Sequence, residues 1–145
     1  MTAREQQREA AAYLSRYRAA QSEVKDIERR IERVRNEMMG VKGIDYTGGD
    51  MPKQQNRTGD LSDYMVRIDD LIQDWKAAQD RAIAVMREVS LTIDAVQHDQ
   101  ARRVLMLHFV DGLKYEKIAE MVPCGIDTVY RWRRIGLSDI NVNSQ

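Results

Sequence analysis

The sequence predicts an all-α protein. It reads as a long antiparallel helical hairpin, coiled-coil-like, over residues 1–95, followed by a helix-turn-helix domain over 96–140 and a tail, 141–145. Three observations carry this. Two long stretches repeat apolar residues every seven positions. Glycine and proline gather between those stretches. After about residue 95 the pattern changes to short, punctuated helical segments.

The first arm has no Gly or Pro from Thr2 to Met39. Tyr17, Ala20, Val24, Ile27, Ile31, Val34 and Met38 alternate steps of three and four, which places them on one stripe of a single long helix. Asp26–Arg30 and Arg33–Glu37 are expected as favourable pairs one turn apart, but Glu28–Glu32 and Arg29–Arg33 oppose them. The apolar seam therefore decides the assignment.

Residues 40–60, "GVKGIDYTGGDMPKQQNRTGD", hold five of the eight glycines and one of the two prolines. They read as a flexible loop. Gly48-Gly49 has no Walker-type lysine context, so a phosphate-binding loop is not indicated. The heptad returns at Leu61, with Ile68, Trp75, Ala82 and Val89 seven apart and Tyr64, Leu71, Ala78 and Val85 between them. Asp60 or Ser62 is expected to cap this second helix, which runs to about Ile93. The first arm carries net charge +2 and residues 60–95 carry −4, which favours pairing the two. Neither amphipathic helix buries its stripe alone, so the seam could also recruit a second copy as a homodimer.

Composition excludes several classes. Lys+Arg and Asp+Glu are equal at 23 each, so any nucleic-acid contact must come from a local patch. A single cysteine, Cys124, excludes an internal disulfide and fits a reducing compartment. With no signal-peptide pattern and no membrane-length apolar run, a cytoplasmic location is expected and no membrane partner.

The last forty residues are the informative ones. In "EKIAEMVPCGIDTVYRWRR", Ile118, Ala119 and Val122 share one helical face, and Val129 and Trp132 share a face of the next helix. Pro123 ends the first of these helices by pushing Val122 out of helical conformation. Gly125 is expected to supply backbone freedom, and it or Asp127 to cap the second helix. Two helices joined by a short Gly-containing turn form a helix-turn-helix. With Val129 and Trp132 inward, Asp127, Tyr130, Arg131 and Arg134 point outward, with Arg133 near the edge. Arginine grips phosphate or pairs bidentately with guanine, and tyrosine bonds phosphate. These five residues are the candidate DNA-binding set for double-stranded DNA. The competing reading is a solvated helix end whose arginines complement the helix dipole.

"HDQARRVLMLHFVDGLKYEKIAEMVPCGIDTVYRWRR" resembles region four of sigma-70-type factors, through Val104, Leu105, Leu107, Phe109, Gly112, Leu113, Tyr115, Glu116, Ile118, Ala119, Glu120, Thr128 and Val129. With the helical hairpin, the whole chain resembles the ArpU-like, sigma-like regulators of bacteriophages and prophages. The resemblance implies a sequence-specific transcriptional regulator in a bacterial host cell, with its recognition helix in the major groove and RNA polymerase as a further partner. Pro123 and Gly125 depart from the family pattern of Gly and Ser at those positions, which bears on how the turn aims that helix. Nothing resembles the sigma region that melts promoters.

No catalytic, cofactor or metal set is expected. His98 and His108 are ten residues apart, about 15 Å along one helix, too far to share a metal. Cys124 has no activating partner fixed by sequence. The chain is not expected to be an enzyme. The alternatives are a small terminase subunit for DNA packaging, and a coiled-coil protein-interaction module that does not bind DNA.

Overall fold

The computed structural model describes residues 2–47 and 54–141. All elements among them are helical: α1 (Ala3–Leu14), α2 (Arg16–Thr47), α3 (Gln54–Asp94), α4 (Asp99–Leu105), a π-helical turn (Met106–Val110), α5 (Tyr115–Met121) and α6 (Ile126–Asp139). No described helix is long and apolar enough to cross a membrane.

The first arm is interrupted rather than continuous. Thr2 caps α1 with a reciprocal capping box to Glu5. The helix stops at Ser15, whose hydroxyl donates to the Ala11 carbonyl at 2.8 Å. A serine bonding back one turn competes with the backbone ladder and bends helices. The interruption gives α1 its own apolar face, with Ala10 and Leu14 fully buried.

The loop expected over 40–60 is shorter than the sequence suggests. Residues to Thr47 and from Gln54 are helical, so Gly40, Gly43 and Gly59 lie inside helices, and neither Asp60 nor Ser62 begins one. A glycine in a helix interior costs about 1 kcal/mol relative to alanine. Gly48-Gly49 lies outside the described residues.

Two compact units divide the chain, Met1–Gln21 with Arg81–Gln145, and Ser22–Asp80. This differs from a boundary near residue 95. The first 21 residues and the end of α3 belong with the C-terminal helices, because the apolar surfaces of α1 and of late α3 are buried there.

In the Ser22–Asp80 unit, Val24, Ile27, Val34, Ile68 and Ala78 are buried, and Ile31, Met38, Leu61, Tyr64 and Leu71 are partly so. These are the seam positions. Trp75 is half-buried rather than enclosed, and its indole N–H donates to Glu28 at 3.2 Å. Arg67 approaches Glu37 at 3.7 Å. Both contacts join α2 to α3 within this unit. Asp26 pairs with Arg29, three residues on, rather than with Arg30, and Glu37 meets Arg67 rather than Arg33.

The other unit is built around two apolar clusters. Ala10 and Leu14 of α1, Val89 and Ile93 of α3, Val96, Ala101 and Leu105 of α4, Phe109, Leu137 and Ile140 form one. Val104, Ile118, Val122 and Val129 form the second, and Trp132 packs against both. Helix α6 crosses α4 at Gly136, where an added Cβ would lie 2.7 Å from Leu105 Cδ1. Gln6 of α1 donates its side-chain amide to the Leu137 and Ile140 carbonyls, tying α1 across the end of α6.

Candidate nucleic-acid interface

Helix α5 ends at Met121, and Val122 is extended (φ −108°, ψ 90°) immediately before Pro123, as proline requires of its predecessor. Gly125 is the N-cap of α6 at φ −74°, an ordinary backbone angle, and no side chain caps the helix. Of the two residues expected to cap, Gly125 is the one that does, without using the backbone freedom expected of it, and Asp127 lies inside the first turn. Gly112 is the positive-φ residue among those described, at +77°, in the connection before α5. The turn at Pro123 therefore needs no left-handed residue, and the Pro123 and Gly125 departures carry no backbone strain.

Helix α6 has two faces. Val129, Gly136 and Leu137 are buried. Asp127, Tyr130, Arg131, Arg134, Ile135 and Ser138 are exposed. Asp127, Arg131, Arg134 and Ser138 follow helical spacing and form one stripe on the outward side. Among the described residues, neither Arg131 nor Arg134 is ion-paired.

Arg133 behaves differently. It is partly buried, and its Nε donates to the Tyr115 hydroxyl at 2.6 Å while the guanidinium lies 5.7 Å from that ring's centre. Tyr115 in turn stacks on His108 (centroids 4.1 Å apart) and tilts against Tyr130 at 5.3 Å. Of the five candidate residues, four thus share the exposed face, and Arg133 is held against α5.

The ring stack was not legible as a unit in the sequence. His108 sits in the π-helical turn, with Nδ1 2.8 Å from the Leu113 carbonyl. Burial holds its pKa below the usual histidine range; the Leu113 carbonyl opposes this, and the charges of Arg18 and Arg133 add to the lowering. Burial raises the Tyr115 pKa, against the pull of Arg133. Tyr115 is therefore a neutral phenol at pH 7 that accepts a charged donor. His98 caps α4, its Nδ1 accepting from the Ala101 N–H at 3.1 Å. Among the described residues no group of His, Cys, Asp or Glu is arranged to hold a metal.

Some residues that matter to this face are not marked by the sequence pattern. Gly136 permits the α4–α6 crossing. Arg4 and Arg8 of α1 line a cleft of about 240 Å³ together with Gln7, Ala11 and Arg133. Their spacing marks one helix face, but nothing in the sequence joins that face to α6. Comparison with known proteins finds no match to a family, to a curated protein or to a solved structure.

Proposed function

We propose that the chain is a sequence-specific DNA-binding transcriptional regulator of phage or prophage type, in which α5, the Pro123 turn and α6 act as a helix-turn-helix and α2 with α3 form a helical hairpin. The observation that carries this reading is the exposed stripe of α6, where Arg131 and Arg134 stand without ion-pair partners on a helix anchored from behind by Val129, Trp132, Gly136 and Leu137. Exposed, unpaired arginines on a rigid helix suit the major groove, which is about 12 Å wide and admits one helix. Arg131, toward the middle of α6, reads a base; Arg134 meets phosphate. Tyr130 contacts backbone from the flank of the stripe. The resemblance to sigma region four supports RNA polymerase as a second partner.

A dimer through the helical hairpin supports this function, since one small recognition helix on a chain of zero net charge binds weakly and two linked copies gain avidity. Exposed Met39, Met65 and Val66 in the Ser22–Asp80 unit favour such self-association. Selection on random duplexes tests the proposal. A recovered consensus, with preference relaxed in Arg131→Ala, supports it. Recovery of no duplex at low salt by the folded chain favours a protein-interaction module instead.

A further inference from the structure

The cleft lined by Arg4, Gln7, Arg8, Ala11 and Arg133 lies between α1 and α6 within one compact unit. Three guanidinium-bearing residues line it and no carboxylate does. Among the described residues, Arg4 and Arg8 form no ion pair, and Glu5, beside Arg4, turns away into the capping box with Thr2. Arg4 also stands in the first turn of α1, where the helix dipole is positive and a cation is locally unfavourable. A positive charge kept against its local preference, in a cleft lined by two more, is a conflict of the kind found at binding sites. An oxyanion resolves it: it would neutralise the guanidinium groups, for which arginine's fork-shaped donors are suited.

The position of the cleft indicates which oxyanion. Gln7, which lines it, donates to the Ser138 hydroxyl at 2.9 Å, and Ser138 ends the outward stripe of Asp127, Arg131 and Arg134. That stripe extends roughly 16 Å along the helix axis, longer than the major groove is wide. A helix whose first turns enter the groove leaves its far end at the flanking backbone. Arg133 is pre-oriented on the cleft wall by its bond to Tyr115. We infer that the α1–α6 cleft binds a backbone phosphate of duplex DNA at the edge of the groove that α6 occupies, so that the N-terminal helix is part of the DNA-binding surface. The inference rests on the DNA-binding function proposed above and extends it to α1.

The test uses the full chain and a duplex recovered by selection. Binding is measured across salt concentrations for the parent, for Arg4→Gln with Arg8→Gln, and for Arg87→Gln as a control that removes one exposed charge elsewhere in the same unit. The slope of log affinity against log salt should fall by about 0.9 for each phosphate that the double variant no longer neutralises. Selected and scrambled duplexes should weaken equally, and Arg87→Gln should leave the slope unchanged. In phosphate-ethylation interference, one flank of the parent's footprint should disappear in the double variant. An unchanged slope and footprint in the folded double variant, while Arg131→Ala still weakens binding, overturns this inference and leaves the proposed function standing. Failure of the parent to bind any duplex overturns both. Binding of inorganic phosphate or a mononucleotide that Arg4→Gln with Arg8→Gln abolishes, with duplex binding unaltered, assigns the cleft to a free anion and also overturns it.

Discussion

At the residue scale, the contacts proposed for the outward side of α6 separate by position. Arg131→Ala is expected to lose about 1–3 kcal/mol of discrimination at one base pair, the worth of a good bidentate contact. Arg134→Ala should weaken every sequence alike and flatten the salt dependence, which competition binding on matched and scrambled duplexes separates. Arg133 depends on the Tyr115 hydroxyl, so Tyr115→Phe removes that bond and is expected to destabilise by about 1.5–3 kcal/mol, as for other hydrogen bonds to charged groups, measurable by denaturant unfolding. His108 supplies a pH dependence. Its folded pKa lies below the unfolded value, so the unfolded chain binds the extra proton, and stability rises with pH across the window between the two. Acidification from about pH 7.5 through the unfolded histidine pKa of roughly 6.5 and below should lower the melting temperature, and His108→Phe should flatten that part of the profile.

At the element scale, the α4–α6 crossing and the seam carry the structure. Gly136→Ala forces a methyl against Leu105, whose side chain is fully buried and has little room to yield. A cost of about 1–3 kcal/mol is expected from overpacking, with α6 displaced and DNA affinity reduced along with stability. Trp132→Ala removes a side chain shared by both apolar clusters and should cost about 3–5 kcal/mol, enough to unfold a small unit under mild denaturant. Trp75 is half-buried and bonded to Glu28, so Trp75→Asp places a carboxylate opposite a carboxylate rather than a charge in a sealed core. The expected destabilisation is correspondingly smaller than at Trp132, and comparison of the two variants by thermal unfolding checks the ranking.

At the scale of the whole molecule, the proposed dimer gives a mass-dependent expectation. Light scattering should give twice the chain mass at concentrations that saturate DNA, and replacing exposed Met65 and Val66 together by lysine should shift the species toward monomer while leaving the unit of Met1–Gln21 with Arg81–Gln145 folded. A strict monomer in the parent would transfer the needed affinity to a partner such as RNA polymerase.

The sequence by itself determined the helical class, both apolar seams, the end of α5 at Pro123 and the exposure of Asp127, Tyr130, Arg131 and Arg134. Each of these follows from spacing along one helix or from proline's local constraint, and so needs no knowledge of distant partners. Tertiary structure decided the rest. The glycines of 40–60 spoke for a loop, but helix runs on to Thr47 and resumes from Gln54. The first arm breaks at Ser15, and α1 packs its Ala10 and Leu14 with α6, where Gln6 reaches a carbonyl 131 positions away. Arg133 is drawn to Tyr115, and Arg4 and Arg8 come to share a cleft with it, by packing of elements far apart in sequence. Helical periodicity records which face of an element is apolar; which other element covers that face is settled only when all the faces are buried together.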